Sequence, residues 1–415
     1  MKAQLNMPNK LCAALFVAGG LSSSPLALAS EFGGGLYDML ANGKVSIDAN
    51  LRFENVDQSN IANKANALTL RTRLGYETAK LSGFGGFLEF ENISAIGDDD
   101  TFLAPGPFSN GVTGRPVIAD PELTEINQAY ISYSGFSDTV AKYGRQRIVY
   151  DNARFIGDVI WRQNQQTYDA FAINNISLSD ASLSYSFITN QNNVVGANVD
   201  VEVHSINASY SGFSAGKLTA YAYLSDFEAN NVNDNDTYGI RFSGVSPMGV
   251  NKVLYTAEFA RQSNSDGNPN SFDHDYVFLE GGLTFGSGIT AKIAYELLGS
   301  DNNTTAFFTP FATLFKFQGY ADVFLAPTAN AAGLPGGIED IALTLIGKAG
   351  KVNLYAAYHD FNSDEGPIGN YGDEIDVKAT TAFGKFTVGA QYAAFSSDST
   401  LSDVDKFWLW VGTKI

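Results

Sequence analysis

The chain has 415 residues, with 26 basic and 44 acidic side chains and a formal charge of −18. That sign repels nucleic acid, whose binding rests on cations that neutralise phosphates, and 20 tyrosines with 30 phenylalanines exclude a disordered chain. The single cysteine, Cys12, falls in the N-terminal leader, which excludes disulfide frameworks and thiol chemistry for the rest of the chain.

Residues 1–29 have the layout of a secretory signal peptide. Lys2 and Lys10 give a positive start, Leu11 to Gly20 an apolar run, and Ala27-Leu28-Ala29 a small-x-small cleavage site before Ser30. Residues 30–42 are expected to form a periplasmic N-terminal segment. Beyond residue 30 no stretch reaches the roughly 18 to 20 apolar residues that a spanning helix needs. If this chain crosses a membrane, it has to satisfy its backbone in a closed barrel.

From residue 43 onward the chain is a series of period-2 segments. Val45, Ile47, Ala49, Leu51 and Phe53 make one face; Ser46, Asp48, Asn50, Arg52 and Glu54 make the other. Successive strand residues point to opposite faces, so each segment has one greasy side and one wet side. Leu68, Leu70, Leu74 and Tyr76 oppose Thr69, Arg71, Arg73 and Glu77 in the same way. Near the end, Phe407, Leu409, Val411, Thr413 and Ile415 oppose Lys406, Trp408 and Trp410.

The pattern predicts an all-β chain, a transmembrane antiparallel barrel of about 18 strands, with 16 as the alternative. The expected spans are 43–54, 66–78, 83–93, 125–134, 138–148, 167–175, 180–188, 200–210, 216–225, 236–243, 252–261, 274–285, 288–298, 341–347, 352–360, 372–382, 385–395 and 405–414. Short turns follow the even strands and long loops the odd ones; the longest are 94–124, 149–166 and 299–340. Such end-to-end asymmetry belongs to bacterial outer-membrane barrels, with short turns in the periplasm and long loops outside. A single barrel domain over 43–415 follows. The ten prolines after the leader, Pro247 in the longer gap 244–251 among them, are all expected outside strands. The loop 299–340 is too long for a plain connector; it is expected to cap or plug the pore or to lie across its outside, with a short helix or strand pair within 307–324. A soluble secreted sandwich is the competing architecture. It does not explain the alternating gap lengths.

Arginine is concentrated in the first 162 residues. Arg52, Arg71 and Arg73 alternate with lipid-facing residues and are expected in the lumen, because a charge on the lipid face at mid-depth costs about 2 to 4 kcal/mol. Glu54, Glu89 and Glu91 share those polar faces. Two readings of this charged band stand side by side: a zone that selects anions, and a network of ion pairs that only braces the barrel. Strict alternation puts Arg145 and Arg147 on the face of Ala141 and Tyr143; a bulge at Gly144 would turn both into the lumen, which is the expectation here. The loop 149–166 carries Asp151, Arg154, Trp161 and Arg162, and either constricts the pore or is a solvated surface loop. Three scattered histidines and the lack of a nucleophile elbow argue against an enzyme. Acidic clusters such as Asp98-Asp99-Asp100 read as solvated loop tips, so neither metal nor cofactor is expected.

The stretch Gly144-Arg145-Gln146-Arg147, followed by Asp151, Arg154 and Trp161 to Ala170, resembles the alginate-export family of bacterial outer-membrane barrels. Leu68 to Tyr76 is similar to an early strand of that family. The resemblance implies an 18-stranded barrel with an arginine-lined pore. The chain departs from the common barrel ending, since it stops at Ile415 where a terminal Phe is usual. The expected function is passive passage of small polar or anionic solutes, uronate-containing saccharides among them, through the outer membrane. Export of an anionic polysaccharide such as alginate is the second reading, and an adhesin or structural barrel with an occluded pore the third. Expected partners are outer-membrane lipid and lipopolysaccharide, not nucleic acid, and the expected state is a monomer.

Overall fold

The computed structural model describes residues 34–265, 267–301, 303–325 and 334–415; the expected signal peptide lies outside them. Eighteen strands run in chain order. The first nine are β1 (Lys44–Gln58), β2 (Ala65–Glu77), β3 (Phe84–Ala95), β4 (Leu123–Tyr133), β5 (Thr139–Gln146), β6 (Thr167–Asn175), β7 (Ala181–Asn192), β8 (Asn198–Phe213) and β9 (Gly216–Phe227). The second nine are β10 (Asn235–Met248), β11 (Asn251–Asn264), β12 (Asp273–Thr284), β13 (Thr290–Leu298), β14 (Ile338–Ala349), β15 (Val352–Asn362), β16 (Asn370–Phe383), β17 (Phe386–Ser397) and β18 (Val404–Lys414). Each pairs antiparallel with its chain neighbours, and β1 pairs with β18, from Asp48 opposite Lys414 to Gln58 opposite Val404. The sheet is a closed barrel without a free edge. No helix among the described residues is long and apolar enough to cross a membrane.

The faces follow the alternation. In β2, Thr69, Arg71 and Arg73 are buried while Leu68 and Leu74 are exposed. Leu88, Ile131, Leu279 and Leu343 are likewise exposed, so the greasy side points out, to lipid, as barrel closure in a bilayer demands. The buried apolar side chains lie in the lumen instead. One cluster packs Phe315, Tyr320 and Phe324 against Phe361, Phe395 and Trp408; another packs Phe155, Phe307 and Phe311 against Tyr168, Tyr221 and Tyr276. The first-named residues of each cluster come from loops, which therefore fold into the barrel rather than over its outside.

Three local expectations change. The gap expected at 244–251 closes to the two residues 249–250, because β10 runs on to Met248 and pairs Pro247 with Lys252. The pairing of β10 with β9 stops at Ser243, so Pro247 sits where the strand has one partner and breaks no ladder on the open side. Of the other prolines, Pro327 lies outside the described residues and the rest fall outside strands. Among the described residues of 299–337 there are a two-residue ladder, Ser300–Asp301 with Thr305–Ala306, and one 3-10 turn at Leu314–Lys316. Finally, β5 keeps an unbroken register with both neighbours, and Gly144 adopts a φ of +123° without a bulge. Arg145 therefore keeps the parity of Tyr143, opposite Ala129 and Asp169, and lies on the outer face. Its expected place in the lumen is wrong, because the register reset it needed does not occur.

A loop-filled lumen as the candidate constriction

Loop 96–122 enters the barrel from its extracellular end and brings Asp120 to Arg52 and Arg162, and two further loops enter beside it. The first, 147–166, leaves the top of β5; the second, 299–337, leaves β13. They meet in mid-lumen. Ile156 and Phe311 form a parallel bridge, the Gly157 N–H donates to the Phe311 carbonyl at 2.8 Å, and the Thr313 N–H donates to the Ala153 carbonyl at 2.9 Å. Trp161 stacks on Phe315 with ring centroids 4.4 Å apart. The second loop then reaches the far wall, where the backbone N–H of Tyr320 donates to Asp376 at 3.1 Å and that of Ala321 to Glu374 at 2.7 Å. Gly319 passes so close that a Cβ there would lie 2.4 Å from the Glu374 carboxylate, and its φ of +79° suits only glycine.

The arginines singled out by sequence all carry a carboxylate partner. Arg52 of β1 pairs with Asp120 and donates to the Trp161 carbonyl. Arg71 pairs with Asp48, and Arg73 with Glu91. Arg162 meets Glu54 at 2.9 Å, Asp322 at 3.4 Å and Asp120 at 3.5 Å. Arg154 meets Glu296 at 2.8 Å and lies 4.7 Å over the Phe317 ring. Arg147, one residue beyond β5, reaches Asp158 on the first loop. On the outer face, Arg145 grips Asp169 with two hydrogen bonds, of 2.8 and 3.0 Å. Glu89 accepts from Asn127 and Gln128, and Asp151 accepts from Asn207 at 2.6 Å on the wall made by β8 and β9.

Arg52, Arg162 and Lys406 face Glu54, Asp120 and Asp322, three cations against three carboxylates. Burial opposes ionisation of Asp120, but the Arg52 and Arg162 guanidiniums beside it hold its carboxyl below the usual range. For Asp322 burial prevails over Lys406 and Arg162, and its carboxyl is pushed up. Burial also works against the Arg162 charge, yet Glu54, Asp120 and Asp322 together raise its affinity for the proton. A cluster of this kind is close to neutral as a whole. Breaking one member is costly, because it leaves a buried charge uncompensated.

Other lumenal cations were missed by a reading centred on arginine. Lys142 lies 4.5 Å over the Tyr130 ring, Lys316 lies 5.2 Å over the Phe317 ring, and Lys378 donates to the Tyr320 hydroxyl at 3.0 Å. Among the described residues their ammonium groups meet rings or a phenol at close range, while Glu77, Asp158 and Asp376 act on them from farther off. Strand parity alone was enough to place Lys378, since it shares its face with Glu374 and Asp376.

A closed antiparallel barrel of 18 strands, greasy outside and polar within, with loops drawn into the lumen, is a porin-like channel of the bacterial outer membrane. The chain belongs to the alginate-export family, whose profile matches residues 47–317. It is similar in fold to three Pseudomonas aeruginosa structures. OccK9 (OpdG) has a TM-score of 0.73 at 11% identity, covering 91% of this chain and 99% of that one. OccK3 (OpdO) has a TM-score of 0.69 at 12% identity, covering 92% and 98%. OpdK, solved with vanillate, has a TM-score of 0.68 at 11% identity, covering 91% and 99%. No curated protein matches the chain.

Proposed function

We propose that the protein is a channel for passive passage of small polar or anionic solutes, with no catalytic step and a single chain as the conducting unit. The observation that carries this reading is the contrast between two sets of cations. Arg52, Arg73, Arg154 and Arg162 are buried against carboxylates and brace the loops. Lys142, Lys316 and Lys378 carry lumenal charge that is not locked in such a close pair. Unpaired cations in a narrow, low-dielectric passage favour anions. OpdK was solved with vanillate, a small carboxylate, which agrees in chemical class with this reading. Small sugar acids such as uronates fit the same charge. Passage of a whole polysaccharide would require both loops to leave the lumen, which makes export the weaker alternative.

Planar-bilayer recording tests the reading. Steady conductance with a reversal potential on the anion side is expected, and Lys142→Glu with Lys316→Glu should move it toward cations. Unchanged selectivity would remove the anion assignment. A silent barrel, even after deletion of 299–337, would favour the occluded, structural reading instead.

A further inference from the structure

The short helix at 34–41 precedes β1 and sits against the outside of the barrel's periplasmic end. The Tyr76 hydroxyl donates to the Leu40 carbonyl, and the Ala79 N–H donates to the Met39 carbonyl at 3.0 Å. Tyr76 is in register with Val45 and Leu88, both exposed to lipid, so the contact is on the outer wall and not in the mouth of the pore. Gly35 permits the close approach, since a Cβ there would lie 2.8 Å from Leu81. With about 100° of rotation per residue, Gly35 and Met39 share the face turned to the barrel.

The next face is apolar and uncovered. Leu36, Leu40 and Tyr37 fall within about 100° of arc and are 42%, 51% and 72% exposed. Asp38 lies on the far side of the helix from this stripe. The stripe is continuous with the lipid-facing belt: Val45 and Ile47 follow in the chain, and the exposed rings of Phe84 and Phe136 flank Tyr133 nearby, at 4.6 and 5.2 Å between centroids. Aromatic girdles mark the level where hydrocarbon meets headgroups.

We propose that this helix lies in the inner-leaflet interface of the outer membrane, with Leu36, Tyr37 and Leu40 immersed among phospholipid acyl chains and Asp38 turned to water. An apolar stripe beside a polar face is the arrangement of interfacial helices, and here the barrel wall fixes its depth. The helix itself lies flat on the membrane and clear of the periplasmic opening.

The test uses spin labels on single cysteines, introduced by Leu36→Cys, Asp38→Cys or Leu40→Cys into a chain with Cys12→Ser. The barrels are reconstituted in phosphatidylethanolamine and phosphatidylglycerol vesicles without any periplasmic protein. Labels at 36 and 40 are expected to favour oxygen over a water-soluble nickel relaxant, as a lipid-facing control from Ile131→Cys does, while the label at 38 shows the reverse. Equal nickel access at 36, 38 and 40 would overturn the proposal and leave the stripe to a protein partner. A second measurement guards against local unfolding by the label. Brominated lipid should quench a Tyr37→Trp chain in which Trp161, Trp408 and Trp410 are Phe, and failure to quench would also overturn it.

Discussion

Arg162, on a loop that dips into the barrel, holds Glu54 of the first strand at 2.9 Å, across 108 residues of chain. The pair joins a loop to the barrel wall, and both side chains are buried. Removing one partner strands the other, and most of the predictions below rest on that asymmetry.

Arg162→Ala leaves Glu54, Asp120 and Asp322 with one cation fewer. Breaking a buried pair of this kind costs about 3–5 kcal/mol. The first loop is expected to detach, with larger and noisier single-channel currents. Arg162→Ala with Glu54→Ala should recover part of the wild-type behaviour, and equal currents in the single and double variants would contradict the pairing.

Arg73 and Glu91 test bracing against selectivity. Both are buried and face each other. Arg73→Gln with Glu91→Gln removes the two charges together, so anion preference should stay within error while the thermal midpoint in detergent falls. A loss of anion preference in this neutral double variant would return Arg73 to the selective wall.

Gly319→Val places a branched side chain where a Cβ already meets the Glu374 carboxylate. The second loop is expected to lift from β16. Hydrogen exchange at Tyr320 and Ala321, whose N–H groups donate to that strand, should rise at least tenfold; unaltered protection would show that the loop is held elsewhere.

Acid should loosen the first loop through Asp120. Its carboxyl is depressed from the ordinary 3.8 when the loop is docked. A depressed group stabilises the docked state above the free value and loses that contribution as pH falls through the docked one. Currents should hold steady from neutral pH down to about pH 4 and become noisy below it. Asp322, pushed up by burial, acts with the opposite sign, favouring docking below 3.8 and losing that effect as pH rises through its higher docked value. In Asp120→Asn the acid step should vanish, and an identical step in that variant would assign the acid response to another group.

Arg145→Leu with Asp169→Leu removes the ion pair on the outer face. Conductance and anion preference should match the wild type, because neither side chain reaches the lumen. A changed reversal potential would move Arg145 back inside.

The strands were legible because a half-buried strand writes its own period: Leu68, Leu70 and Leu74 against Thr69, Arg71 and Arg73 state both the element and its faces. The inward course of the loops was not legible. It depends on acceptors such as Glu374 and Asp376, far along the chain and on strands whose period says nothing of loops. Arg145 was misplaced for a local reason, since Gly144 suggested a bulge and positive φ alone does not shift a register. Pro247 shows the reverse case, a breaker accepted inside a strand because the neighbouring ladder had already ended.

The loops do not dock on just any part of the wall. Arg162 takes Glu54 on β1, while Asp322 takes Lys406 on β18, and Trp161 packs against Trp408 and Trp410 of that last strand. One of the docking surfaces, beside those on β13 and β16, is therefore the joint between the two ends of the barrel sheet. That joint does not exist in an unclosed sheet, so the contacts at the seam can form only after closure. A barrel arrested before its ends meet would lack these seam contacts, and the docked loops act as a rivet across the joint that completes the wall.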